Sequence, residues 1–431
     1  MIRRVPVVAL FLVLLLAPSS VGAEGGITVL DSSVETDFPA VLTFGLEAES
    51  QADIVDARIH YQVDKMSYTQ VTSEAWADFV PETRVRTSWT WDMRKASLPP
   101  GASITYWWTV EDAEGNSIET PPAVLRFDDD RYEWRSLAND ALTLFWYEGD
   151  DSFAGELMTA CEEGLSRLTR EVGTYPEKPI RIYVYASAGD LQGAMIFSQE
   201  WTGGTAFTEF GIVAIGISVD QLDWGKRAMV HELTHLVVHQ ATFSPYGELP
   251  TWLDEGLAMY NEGEMSPSFQ AWLDRAIAEG RLISVRSLCS PFSAEPEKAY
   301  LSYAQSCSLV TYLLDSYGQD RMLSLLTLLK VGSSYDGAMK QVYGFDMDEL
   351  DRRWLEESVG PPVTEESQVG PVQRIWHPAL VVAIRAGDFA GPRGWSGAGG
   401  MGPAAVAGKR LAYGSCPGMC WKAGICSRRR R

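Results

Sequence analysis

The sequence predicts a multi-domain chain: an all-β sandwich, then an α+β domain that is mostly helical in its C-terminal half. Three observations carry this. Between residues 24 and about 128, apolar residues recur with period two, the mark of half-buried strands. From about 132, apolar residues at helical spacing alternate with β-branched runs and then give way to helical signals alone. The chain has 431 residues, 46% of them apolar and 11% aromatic. That is enough for two or three cores and too apolar for a disordered polymer.

Residues 1–23 read as an address. Arg3 and Arg4 precede an apolar run, Val5 to Leu16, and Val21-Gly22-Ala23 offers a small-residue cleavage site. The run is too short to cross a bilayer at about 20 residues per helix. The expectation is a secretory signal peptide, cleaved after Ala23, and a protein that is extracellular or at the cell surface.

Residues 24–130 carry the β pattern. Ala57, Ile59, Tyr61 and Val63 alternate with Arg58, His60 and Gln62, while Ile104, Tyr106, Trp108 and Val110 alternate with Thr105, Trp107 and Thr109. Leu98-Pro99-Pro100-Gly101 and Asp112–Asn116 are turn signals. The stretch "LPPGASITYWWTVEDAEGN" resembles immunoglobulin or fibronectin III-like modules at the level of fold. Asp128-Asp129-Asp130 reads as a solvated connection rather than a calcium site.

Residues 131–360 form the α+β part. Leu157, Cys161, Leu165, Leu168 and Val172 make one apolar helical stripe, which puts Cys161 in a core. Ile180, Ile182 and Val184 alternate as a strand, Phe210 to Ser218 is a second β-branched segment, and helical signals run from Leu323 through Leu329 to Trp354.

Residues 361–431 are expected to be a disordered basic tail rich in Gly, Ala and Arg. From Val363 onward ten Lys/Arg face three Asp/Glu. That +7 leaves −30 for residues 24–362. So acidic a surface argues against nucleic acid as a partner. Cys416, Cys420 and Cys426 match no zinc spacing. Trp376 to Ile384 begins like a membrane anchor, and the run stops at Arg385. A frameshift near codon 384 would account for the break and would mean membrane anchoring in the intact gene product. A genuine basic tail is the alternative.

The chemistry lies at 231–255. His231-Glu232-Leu233-Thr234-His235 is an HExxH motif in a chain with only five His. On a helix, residues i and i+4 share a face, so both imidazoles reach one zinc ion with Glu232 beside the open position. Glu255, in Trp252-Leu253-Asp254-Glu255-Gly256-Leu257-Ala258, offers a third ligand from a second helix that Pro250 precedes. Two His and one carboxylate leave a position for water, the layout of a catalytic rather than a structural zinc site.

HELTH followed after 19 residues by the Glu of "WLDEGLA" resembles the gluzincin metallopeptidases, the thermolysin and zinc-aminopeptidase superfamily, and most of all the peptidase MA-like group. The resemblance covers roughly 135–358. It implies a thermolysin-like zinc peptidase domain with Zn2+ held by His231, His235 and Glu255, Glu232 as general base, and a peptide or protein substrate. "YAQSCSLVTYLLDSYG" resembles the helix carrying the transition-state tyrosine of zinc aminopeptidases, which implies Tyr303 as oxyanion donor, with Tyr300 and Tyr312 as competitors. The superfamily places a sheet edge above the metal, which points to Phe210–Ser218 as the peptide-binding edge.

Two departures stand out. No G-A-M-E-N segment is present to hold a free amino terminus, so exo- or endopeptidase action stays open. Thermolysin carries a carboxylate four residues after its ligand Glu, and here that place is Met259, leaving Glu262 or Asp254 to serve. His239 lies one further turn along and reads as a surface or supporting histidine. Cys289 and Cys307 allow a disulfide in an exported chain. The alternative function is a catalytically inactive, or non-peptide-acting, cell-surface binding protein with a peptidase-like domain.

Overall fold

The two period-two runs are strands, and they pair with each other. In the computed structural model, which describes residues 26–196 and 203–359, the N-terminal unit contains β1 (Thr28–Asp37), β2 (Val41–Val63), β3 (Ser73–Trp76), β4 (Glu82–Asp92), β5 (Ala102–Asp112), β6 (Ser117–Glu119) and β7 (Ala123–Phe127). Ala57 lies opposite Val110, Ile59 opposite Trp108 and Tyr61 opposite Tyr106. β2 serves two leaves: Val41–Glu49 runs between β1 and β4, and the stretch from Ile54 runs beside β5 and β3. Its register shifts between Glu49 and Ile54, and such an irregularity lets one strand bend from leaf to leaf. Phe44 on the first half meets Tyr106 on β5 edge-on, ring centroids 5.0 Å apart, across the core between them. The expected β unit is therefore present, but the continuous β2 gives no specific support for the immunoglobulin or fibronectin III assignment. His60, expected on the wet side, is buried, because it bonds Thr109 Oγ1 at 2.8 Å and stacks on Trp107.

The second sheet has the order β11-β12-β10-β9-β8: β8 (Arg135–Ala138), β9 (Leu142–Trp146), β10 (Ile180–Tyr185), β11 (Gly204–Phe207) and β12 (Ile212–Gly216). β9, β10 and β12 run parallel, and β8 and β11 pair antiparallel at the two edges. Helix α1 (Asp151–Arg167) crosses from β9 to β10, and α2 (Ala188–Gly193) follows β10. The remainder is helical: α3 (Leu222–Thr242), α4 (Thr251–Asn261), α5 (Pro267–Ala278), α6 (Val285–Leu288), α7 (Pro296–Tyr317), α8 (Gln319–Lys330), α9 (Tyr335–Tyr343) and α10 (Met347–Val359).

This sheet is a middle layer. Leu144, Ile180, Ile182, Val184, Val213 and Ile215 face the helices, together with the predicted stripe Leu157, Cys161, Leu165, Leu168 and Val172. Tyr183, Tyr185, Ile212 and Ala214 face the β unit and share its core. Strands covered on both faces read as continuous apolar runs, which is why Ile212–Gly216 is buried throughout.

That packing corrects the reading of Asp128–Asp130. Only Asp130 is exposed. Asp129 is fully buried, accepts from Arg131 Nε at 2.8 Å and Nη2 at 2.7 Å, and receives the Tyr185 hydroxyl at 3.1 Å. Tyr183 donates to Asp128 at 3.3 Å. The run is the seam between two layers that share a core, so its carboxylates are desolvated and paired. Gly101, at φ +79°, sits against the Tyr183 hydroxyl, where any Cβ would collide. The β-branched segment is corrected too: Phe210–Ser218 is no edge, since β12 is flanked by β10 and β11, and β11 holds the edge. Cys289 and Cys307 are free thiols, not a disulfide: Cys289 Sγ donates to Val285 O at the end of α6, while Cys307 is buried in α7.

The signal segment 1–23, Trp376–Ile384 and Cys416, Cys420 and Cys426 lie outside the described residues. No described helix is long and apolar enough to cross a membrane.

Asp129→Ala leaves Arg131 and the Tyr185 hydroxyl without their shared acceptor inside the seam. We expect unfolding stability to fall by about 2–3 kcal/mol, read by urea denaturation of the full chain. A loss under about 0.5 kcal/mol would return the run to a solvated connection.

Candidate metal centre

α3 carries His231, Glu232 and His235 on consecutive turns, and α4 carries Glu255. Three features set the crossing of these helices. Asn261 Nδ2 donates to Thr234 Oγ1 at 2.8 Å in a fully buried contact, pinning α4 to α3. Gly256 lets α4 close on α7: a Cβ there would lie 2.6 Å from the Ser306 carbonyl oxygen and from Val310 Cγ2. Pro250 ends the incoming loop with extended backbone directly before α4, where a missing N–H costs nothing.

The result is convergence. Nε2 of His231 lies 3.4 Å and Nε2 of His235 3.6 Å from Glu255 Oε2. Tetrahedral zinc with bonds of about 2.0–2.1 Å spaces its ligand atoms roughly 3.3–3.4 Å apart. Glu255 Oε2 is buried and has no hydrogen-bond partner among the described residues, an arrangement that calls for a cation. The donor set of two imidazoles and one carboxylate suits zinc, and these three residues form the metal-competent cluster found among the described residues.

The other imidazole nitrogens are braced by carboxylates. Glu262, capping α4, bonds His231 Nδ1 at 2.8 Å, and Asp254 pairs with His235 Nδ1 at 3.1 Å. Both residues weighed in place of Met259 are therefore in use, one per histidine, and Met259 itself is a buried apolar residue. Each brace fixes the tautomer that presents Nε2 to the metal position. Arg227 in turn holds Glu262, from Nε at 3.3 Å and Nη2 at 3.2 Å, and donates to the Glu264 carbonyl at 3.1 Å. Arg227 escaped the sequence reading, although its place four residues before His231 sets it on the same face.

Electrostatics follow from this crowding. Burial disfavours the His231 imidazolium, but Glu255 and Glu262 reverse that and hold its pKa up at about 9. Burial opposes a charged His235 as well, and Asp254 and Glu255 raise it well above the usual range. Burial alone would raise Glu255, yet its two imidazole partners hold it far below an ordinary carboxyl. Burial pushes Glu232 up, against the pull of His235 and His231. Glu232 also takes the Ala206 backbone amide and lies against Gly204, so it sits between α3 and the edge strand β11.

Of the three tyrosines, Tyr303 faces the centre. Its hydroxyl is directed to Glu255, its ring lies 6.4 Å from that of His231, and Phe292 packs edge-on against it at 5.2 Å. Tyr300 turns away to Phe269 and Trp272, and Tyr312 meets Tyr317. His239 stays outside the cluster: half-buried, it packs on Phe243 at 5.5 Å with an unpartnered Nε2.

Two predictions follow from this geometry. Glu262→Ala and Asp254→Ala should each weaken metal affinity about 10–100-fold, measured by competition with a chromogenic chelator. Unchanged affinity would remove the bracing role. Gly256→Ala should force α4 and α7 apart and destabilise by roughly 1–3 kcal/mol in thermal unfolding. An unchanged melting temperature would show that the helices do not need the close approach.

Residues 160–359 match the family model described as the Peptidase MA superfamily. A comparison with curated proteins found no match. Among solved structures, an aminopeptidase N family protein from Idiomarina loihiensis aligns over 74% of this chain and 73% of its own, at 10% identity and a TM-score of 0.35. Legionella pneumophila aminopeptidase A, solved with aspartic acid, aligns over 79% of this chain and 49% of its own, at 9% identity and TM-score 0.31. Catalytically inactive OgpA from Akkermansia muciniphila, solved with an O-glycopeptide substrate, aligns over 26% of this chain at 13% identity and TM-score 0.19. The chain spans 32% of that OgpA structure and less than half of the Legionella enzyme. The segment that matches the Peptidase MA superfamily model, 160–359, holds α3, α4 and α7 together with all five candidate site residues.

Proposed function

We propose that this protein is an exported, zinc-dependent metallopeptidase that hydrolyses peptide bonds. The observation that carries the reading is the convergence of His231, His235 and Glu255 around one point, with an unpartnered carboxylate oxygen aimed at it. When bound there, zinc supplies Lewis acidity that polarises a carbonyl and acidifies water.

The chain's own residues do the rest. Glu232, one residue past His231 and against β11, takes the proton of the attacking water and delivers it to the leaving amine. Tyr303 donates its hydroxyl proton as a hydrogen bond to the oxyanion that develops on the carbonyl. Its ordinary pKa is raised, first by burial and then by the carboxylates of Glu255 and Glu232, so it remains a donor near neutrality. The edge of β11 that faces away from β12 offers main-chain groups to an extended peptide. Its neighbour Glu232 then lies beside the bound backbone. Export rests on the signal-like segment 1–23.

Glu232→Gln should keep the metal and lose nearly all turnover, because only the base is removed. Tyr303→Phe should lower kcat about 10²–10³-fold with little change in KM. Both are read on an unfolded protein substrate together with metal analysis. Wild-type turnover in the Glu232→Gln protein would refute the assignment of the base, and failure of the zinc-loaded protein to cleave any peptide library would refute the peptidase reading.

A further inference from the structure

The β unit reaches into the same cleft. The loop between β2 and β3, residues 64–72, crosses to the peptidase part and makes three contacts there. Lys65 Nζ pairs with Glu209 at 2.7 Å, and the Met66 amide donates to the Glu209 carbonyl at 2.6 Å. Tyr68 lies flat on Phe243, ring centroids 4.5 Å apart and planes 11° apart. Glu209 lies two residues past the end of the edge strand β11, and Phe243 caps the C-terminal end of α3.

β11 runs along α3. Gly203, just before it, lies against the Trp224 ring near the start of α3. Gly204 and Ala206 meet Glu232 in the middle. Glu209, past the end of the strand, lies near His239. A chain laid on the open edge of β11 therefore runs from Trp224, past Glu232, towards the Tyr68–Phe243 stack. Tyr68 is 56% exposed although one of its faces is covered by Phe243. A large exposed ring that continues a binding edge is a ready contact for a side chain.

We propose that Tyr68 is a specificity-determining residue: its free face receives a large apolar side chain of an extended peptide held on β11. The β unit is then a wall of the substrate cleft rather than a separate module. The occupant follows from continuity with the catalytic edge and from the flat aromatic surface offered. This rests on the peptidase reading above, so binding and turnover are tested separately.

The probe is a positional-scanning set of labelled decapeptides, used with the full-length, zinc-loaded chain. Tyr68→Ala should raise KM about tenfold for peptides with Phe or Leu at one position, leave kcat within about twofold, and leave peptides with Ala there unchanged. Tyr68→Phe should restore the wild-type profile. Binding is read independently by fluorescence anisotropy with Glu232→Gln and with the Glu232→Gln, Tyr68→Ala double variant. A loss spread evenly over all positions, or carried in kcat, would show that Tyr68 only braces α3 and would overturn the proposal. So would cleavage and binding that ignore the substitution. Position-specific binding that depends on Tyr68 without any cleavage would uphold the subsite and overturn the peptidase reading. Absence of both binding and cleavage would overturn the two together.

Discussion

A buried carboxylate oxygen facing two imidazole nitrogens is the constraint around which the helical half is arranged. Glu255 Oε2 sits inside the protein, 3.4–3.6 Å from two imidazole nitrogens, and among the described residues no closer hydrogen-bond donor reaches it. Such a group is tolerated only where positive charge is at hand. The pKa values of His231 and His235 are both raised by the carboxylates around them, which shows how strongly this position favours positive charge. The same carboxylate and the neutral rings would be the ligands of a divalent ion held there. The surrounding structure keeps this arrangement in place. Thr234 and Asn261 pin the helix crossing, Gly256 admits α7, and Glu262, Asp254 and Arg227 hold the rings from behind.

Four carboxylates lie within this small volume, and their surroundings assign them different work. Glu255 has both rings on one side and is held charged. Glu262 and Asp254 face the outer imidazole nitrogens and fix orientation. Glu232 is turned to the edge strand, where burial raises its pKa and a backbone amide steadies it. The strongly acidic composition of the chain thus says little about the site; the directions of a few side chains say more.

The middle sheet ties the halves together. Because β10 and β12 are covered on both faces, the β unit shares a sheet with the helical half and is not an appendage. The seam is polar where Asp129 meets Arg131 and Tyr185, and aromatic where Trp134, Tyr147 and Tyr185 cluster. A shared core of this kind brings a loop of one unit against the helices of the other.

The sequence by itself determined the local elements and the chemical triad. Period two in 57–63 and 104–110 specified two strands, and HELTH with the Glu of WLDEGLA specified two helices whose His231, His235 and Glu255 meet, because side-chain direction repeats with the period of the local backbone. Tertiary structure decided what no local period encodes. Asp129 became buried because the strand carrying Tyr185 packs against it, and β12 became an interior strand because β11 adds outside it. Tyr303 rather than Tyr300 or Tyr312 faces the centre because of the way α7 is turned where it packs on α4 and α5. Arg227 acquired a role only when the end of α4 brought Glu262 to it. Each of these depends on contacts between residues distant in the chain, and the free energy of those contacts is set by packing rather than by the pattern of neighbours in sequence.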